Sequence, residues 1–144
     1  MDVERILDTK GRKVVTIRPD TPVAEAVSRL RAEGIGAMVV LSASGHLDGI
    51  ISERDVVRGL ARHSRAVLDL KVADLMTRSV ATCSPKDTVK AVMAVMTERR
   101  VRHLPVVEAG QLLGIVSIGD VVKNRLDEME LEVNVLRDAY IVHR

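Results

Sequence analysis

The chain has 144 residues, 47% hydrophobic and 29% charged, which fits one compact domain or two small halves and excludes disorder as the default. A net charge of +2 is too small to point to nucleic acid or a membrane surface, and Tyr140, the sole aromatic, leaves almost nothing for bases to stack on. The core must therefore be aliphatic, and the single Cys83 cannot form an internal disulfide.

Residues 1–7 include Asp2 and Glu4 and hold no apolar run, so they read as neither a secretory signal nor an Arg-rich transit peptide. No apolar stretch reaches membrane-spanning length, and a cytoplasmic protein is the expectation. A short strand is predicted over 14–17. A Pro-containing turn then leads into a helix whose apolar residues Val23, Ala26, Val27 and Leu30 recur at helical spacing. An apolar strand follows over 37–41, then a turn at Gly45, a strand over 47–51 and a helix starting near Ser52. Residues 59–71, with Arg62, His63, Ser64 and Arg65, are expected to form an exposed joint. The series then returns. A strand is predicted over 79–83, then a helix carrying Val89, Val92, Met93 and Met96, strands over 104–107 and 112–116 around Gly110, and a helix from Ser117. A long helix is expected over 121–140. Its residues Leu126, Met129, Val133, Leu136 and Tyr140 form a stripe at spacings of three or four, which predicts a homodimer.

The return is a repeat in sequence as well as in pattern. Gly49-Ile50-Ile51-Ser52-Glu53-Arg54-Asp55-Val56-Val57 matches Gly114-Ile115-Val116-Ser117-Ile118-Gly119-Asp120-Val121-Val122 at six of nine positions. Upstream, Pro19 aligns with Pro85, Val23 with Val89, Ile35 with Val101 and Val40 with Val106, with one residue lost in the Gly45 and Gly110 turns. Residues 3–9 loosely resemble residues 72–78, as a lead-in to each unit. Each unit reads β-α-β-β-α, an α/β (α+β) pattern with a three-stranded sheet. One unit is small for a stable core, so two units packed through their sheets are expected to bury a shared one.

The doubled Gly-Ile-(Ile/Val)-Ser-x-x-Asp-Val-Val block, with His103-Leu104-Pro105-Val106-Val107 in the second unit, resembles the cystathionine-β-synthase, or CBS, domain over residues 8–126. The resemblance implies a stand-alone CBS pair: a first repeat over 8–64, a second over 72–126 and a helical extension over 127–144. It also implies a pseudo-twofold arrangement with two clefts between the repeats, dimerisation, and a regulatory role toward a partner protein. The effector it implies is an adenosine-containing ligand: AMP, ATP, NAD or another dinucleotide, or S-adenosylmethionine.

Read from the residues alone, Ser-x-x-Asp at a helix start is a capping box. The same helix end is an anion site, so Ser52 and Ser117 suit a phosphate, while Asp55 and Asp120 suit ribose hydroxyls. By resemblance, one cleft takes Val15, Ile35 and Gly36 with Ile115, Ser117, Gly119 and Asp120. The other takes Ala81, Val101 and Arg102 with Ile50, Ser52, Arg54 and Asp55. Arg54 stands where the second unit has Gly119, and Arg102 where the first has Gly36, so the clefts should differ in charge and room. The run Glu98-Arg99-Arg100-Val101-Arg102-His103 is a solvated helix end or a polyphosphate clamp. His46, His63, His103 and His143 show no metal-ligand spacing, and Cys83 is expected to be a buried inert thiol. No nucleophile-base pair or GxxxxGK loop argues for an enzyme. The remaining alternatives are a scaffold without a small-molecule ligand and, on the Arg clusters alone, nucleic-acid binding.

Overall fold

The computed structural model describes residues 1–142. The first half holds helix α1 (Val3–Lys10), strand β1 (Thr16–Ile17), helix α2 (Val23–Glu33), strands β2 (Ala37–Leu41) and β3 (Leu47–Ser52), and helix α3 (Glu53–His63). A short 3-10 helix (Ser64–Asp69) and helix α4 (Val72–Leu75) lead into helix α5 (Val89–Arg99), strands β4 (His103–Glu108) and β5 (Gln111–Ser117), and helix α6 (Ile118–Val142). The apolar periodicity and the two hairpins thus produce the elements they predict.

The sheets are unequal. In the first half β1 pairs parallel with β2, and β2 antiparallel with β3. In the second half only β4 and β5 form a sheet, and the strand expected over 79–83 is reduced to a single bridge from Cys83 to Val106. Proline explains the difference. Val39 N–H donates to Val15 O at 3.3 Å in the first half. Pro105 occupies the matching place in the second and has no N–H to offer Ala81, so the ladder shortens.

The core also differs from the expected shared one. Buried apolar residues form two clusters. One joins Ile17, Ala26, Leu30, Met38, Val40 and Ile51 to Val72 and Met76. The other joins Val89, Val92, Met96, Leu104, Val106 and Val116 to Val3, Ile6 and Leu7. The lead-in segments are therefore exchanged. Helix α1, ahead of the first repeat, packs on the second, and α4, ahead of the second, packs on the first. The backbone holds both docks: Val3 N–H donates to Asp87 O and Val89 N–H to Met1 O, while Val23 N–H donates to Leu70 O and Val72 N–H to Thr21 O. Burying Val3 and Leu7 completely contributes about 1.5–3 kcal/mol each relative to exposure. Within the joint, Arg62, His63, Ser64 and Arg65 are exposed as expected, but Gly59 and Val67 are buried. The 3-10 helix turns back onto α3, so a Cβ on Gly59 would lie 2.8 Å from Val67 and Leu75 side chains.

Candidate functional site: an arginine-lined cleft and its lysine-filled counterpart

A cavity of about 760 Å3 opens where the end of β3 and the start of α3 meet the loop after α5. Its lining includes the apolar Ile50 and Val101 and five arginines, Arg54, Arg58, Arg99, Arg100 and Arg102, against the two acidic residues Glu53 and Asp55. Arg99 Nη2 also donates to Ser79 O at 3.3 Å. Arg100 ends α5 in the left-handed conformation, with φ 54°, where the first repeat has Gly34 at φ 64°. A non-glycine residue pays for that conformation, and such strain concentrates at functional sites.

Asp55 forms the full capping box of α3. Ser52 N–H donates to Asp55 Oδ2 at 2.8 Å, the Ser52 hydroxyl donates to the same oxygen at 3.0 Å, and Asp55 N–H donates to Ser52 Oγ at 3.3 Å. The other carboxylate oxygen accepts from the Thr77 hydroxyl at 3.3 Å. Asp55 is buried, yet a carboxylate offers about four acceptor positions and three are filled here.

The counterpart at the start of α6 has the same box and a different neighbour. Ser117 N–H donates to Asp120 Oδ2 at 2.8 Å, and Asp120 N–H to Ser117 Oγ at 3.2 Å. In place of a threonine, Lys10 from the exchanged helix α1 reaches in. Its Nζ donates to Asp120 Oδ2 at 2.6 Å and to Ile115 O at 2.9 Å. Burial alone would raise the Asp120 carboxyl. The hydrogen bond and charge of Lys10, with the Ser117 donors, outweigh burial and hold it below the ordinary carboxylate range. The two helix starts therefore differ in charge: Asp55 faces a neutral hydroxyl and Asp120 an ammonium.

His103 lies between the two ends. A Cβ on Gly36 would sit 2.9 Å from Glu53 Oε1 and 3.6 Å from His103 Cε1, so the two halves touch there. Burial, and then the charge of Lys10, lower the His103 pKa from its ordinary 6.5, against the opposing carboxylates of Asp120 and Glu53 and with a smaller push from Arg102. The unfolded chain then binds a proton that the folded chain refuses. Stability is fully present above 6.5 and falls as acidification passes through the lowered folded value. We expect His103→Gln to flatten the dependence of the melting temperature on pH below pH 7. An unchanged profile in the variant would show that His103 is not the sensitive group.

The CBS domain profile matches residues 3–62 and 72–127. The chain belongs to the CBS-domain family. It is similar to the CBS domain-containing protein CBSX3, mitochondrial, of Arabidopsis thaliana, at 37% identity over 96% of this chain and 71% of that protein. It is also similar to the crystal structure of the CBS-domain containing protein ATU1752 from Agrobacterium tumefaciens. That match has 47% identity and a TM-score of 0.85, covering 86% of this chain and 92% of that one. The fold is shared with the CBS domain pair of protein MJ0100, whose structure is a complex with 5-methylthioadenosine and S-adenosyl-L-methionine. That match has a TM-score of 0.80 at 24% identity, over 89% of this chain and 98% of that one.

Within this CBS pair, six residues expected in the Asp55 cleft line the cavity together: Ile50, Ser52, Arg54, Asp55, Val101 and Arg102. The seventh, Ala81, packs half-buried against the second core cluster. Gly36, assigned to the other cleft, lines this cavity too. Val15 packs on the first core cluster, and Ile35 lines a shallow groove between α2 and α3 as well as packing on that cluster. Ile115, Ser117 and Asp120 meet at Lys10, with Gly119 exposed beside them. Residue-by-residue reading missed Lys10, Thr77, Arg58 and His103's place between the clefts. Lys10 and Thr77 come from or just after the lead-in segments, whose loose likeness was the available signal. Cys83 is buried, and burial with the nearby Asp87 charge pushes its thiol up to about 12, so it stays protonated and unreactive. His143 lies outside the described residues, and among those described no three His, Cys, Asp or Glu side chains are placed to hold a metal ion. No helix among them is long and apolar enough to cross a membrane.

Proposed function

We propose that this CBS pair is a non-catalytic sensor that holds an adenosine-containing polyphosphate in the arginine-lined cavity and passes its occupancy to a partner protein. The observation that carries this reading is a cavity lined by five arginines beside a capped helix start whose acid has acceptor capacity left. Arginine forks pair phosphate oxygens two at a time, and the α3 N-terminus adds its own partial positive charge. A ribose hydroxyl goes to the remaining acceptor position of Asp55, since an acid against phosphate would repel it. The adenine lies between Ile50 and Val101. Among AMP, ATP, NAD and S-adenosylmethionine, the charge balance favours ATP, then the pyrophosphate of NAD. The complex of the MJ0100 domain pair with two adenosine-containing molecules supports the ligand class.

The Asp120 end behaves differently. A ribose there must first displace Lys10, and a partly exposed ion pair resists by roughly 1 kcal/mol or less. Calorimetric titration tests both statements. We expect one tight site that prefers ATP to AMP and weakens with salt, and we expect Arg54→Ala to weaken ATP most. Lys10→Ala should strengthen a second, weaker site by up to about fivefold. Equal affinity for AMP and ATP would reject the polyphosphate reading. No heat and no thermal shift with any of the four ligands would reject the sensor.

A further inference from the structure

We propose that His103 takes up a proton when a polyphosphate enters the arginine-lined cavity, so that this cavity holds its ligand more tightly as the solution is acidified. The inference rests on the reading of that cavity as a polyphosphate site and adds a proton to it. Histidine is the side chain whose ordinary charge change falls between pH 5 and 8, and His103 lines the cavity together with the arginines. Its place in the fold puts it between the two helix starts. On one side, the β4–β5 ladder sets it opposite Ser117, the cap of α6. On the other, its ring and Glu53 converge on Gly36. A Cβ there would lie 3.6 Å from His103 Cε1, 3.8 Å from Nε2 and 2.9 Å from Glu53 Oε1. The first repeat has Ala37 opposite Ser52 at the matching ladder position and offers no titrating group there.

The charges facing the ring decide its state. Lys10 of α1 and the adjacent Arg102 oppose a proton, while Glu53 of α3 and Asp120 of α6 favour one. Asp120 is engaged by Lys10 at 2.6 Å, and the effect of the lysine on the ring is the larger of the two. Arg54, Arg58, Arg99 and Arg100 line the same cavity and add positive charge. Among the described residues, burial and these charges act on the ring and no hydrogen bond holds it. The ring is therefore neutral near pH 7 in the free protein. The negative charges of a polyphosphate reverse the balance, because a nearby opposite charge favours the protonated form. Both nitrogens of the imidazolium then donate, and a charge-assisted bond to a phosphate oxygen is the stronger kind. The affinity gained in this way is lost as pH rises through the value that the ring has in the complex.

Calorimetric titration of the whole chain tests the coupling. The terminal phosphate of ATP releases its own last proton at about pH 6, so NAD, whose phosphates hold none in this range, is the cleaner probe. NAD affinity should rise roughly threefold to tenfold between pH 8 and pH 6. At pH 7 its binding heat should vary with the ionisation enthalpy of the buffer, in the direction of proton uptake. His103→Gln should abolish both effects. His103→Arg, which keeps the charge, should hold NAD at pH 8 about as tightly as wild type does at pH 6. With ATP, wild type should take up more protons than His103→Gln, since the proton of the ligand is common to both. Absence of binding at any pH would overturn the polyphosphate reading and this inference with it. Binding with the same affinity from pH 8 to pH 6 and no proton uptake would overturn this inference alone. So would an uptake that persists in His103→Gln.

Discussion

Asp55→Ala should weaken ATP binding roughly tenfold to a hundredfold and lower the melting temperature by about 5–10 °C. The binding loss is that of one charge-assisted contact to ribose, about 1.5–3 kcal/mol. The stability loss has a separate origin. Removing the carboxylate strips the cap from α3 and leaves Ser52 N–H, Ser52 Oγ and Thr77 Oγ1 without their acceptor. A lost cap and unpaired donors together cost about 2–3 kcal/mol, and a chain of this size loses roughly 2–4 °C per kcal/mol. Asp55→Asn separates the two effects, because its amide oxygen can still accept at the cap while its charge is gone. If Asp55→Ala melts early but binds ATP as tightly as wild type, the carboxylate is a cap only and the ribose assignment falls. The corresponding Asp120→Ala should change ATP affinity at the tight site little, since Asp120 lies at the other helix start, paired with Lys10, and does not line the arginine cavity.

Gly49→Ala should destabilise the chain by about 3 kcal/mol, while Gly114→Ala, at the same place in the second repeat, should cost only about 1 kcal/mol. A Cβ on Gly49 would lie 2.6 Å from the backbone oxygen of Thr77. That segment cannot retreat, because Thr77 N–H donates to Ile50 O at 2.9 Å and Ile50 N–H to Thr77 O at 3.0 Å. Overpacking against fixed backbone falls at the upper end of the 1–3 kcal/mol expected for such insertions, about 3 kcal/mol. A Cβ on Gly114 meets the Leu7 side chain, its methyls at 2.7 and 3.1 Å and its Cγ at 3.5 Å; Leu7 is buried, but a side chain yields more than a hydrogen-bonded backbone oxygen. Urea unfolding of both variants measures the difference. Equal losses would mean that the strand, not the crossing segment, sets the requirement for glycine. Gly49→Ala should also weaken ATP binding, since it pushes Thr77 away from Asp55.

Much of the fold was legible because it is written locally. Apolar residues at helical spacing in 23–30 and 89–96, continuous apolar strands, glycine turns and two Ser-x-x-Asp caps are all decided by neighbours within a few positions. The repeat fixed their order twice, and the CBS resemblance joined the halves into a pair. The one strand that failed, over 79–83, failed for a reason also present in the chain. Pro105 removes the donor that Val39 supplies in the first half, but the loss matters only once the parallel partner is known.

The amino-acid sequence by itself determined the order of helices and hairpins in each unit, the caps at Ser52 and Ser117 and the exposed stripe on the last helix, and the resemblance named six of the residues that line the arginine cavity. The tertiary structure alone decided which half each lead-in covers, and with it the neighbour of each capping acid. Residues 3–10 and 72–75 are short apolar-faced segments that either half could bury, and nothing local records the choice. It is made by fit: Leu7 seats over Gly114, and Thr77 crosses at Gly49, so the glycine of each repeat marks a crossing by the other repeat's lead-in. That exchange puts a lysine on Asp120 and a threonine on Asp55. Two helix starts with the same motif thereby acquire opposite readiness for a ligand, because the charge facing each acid arrives from far along the chain.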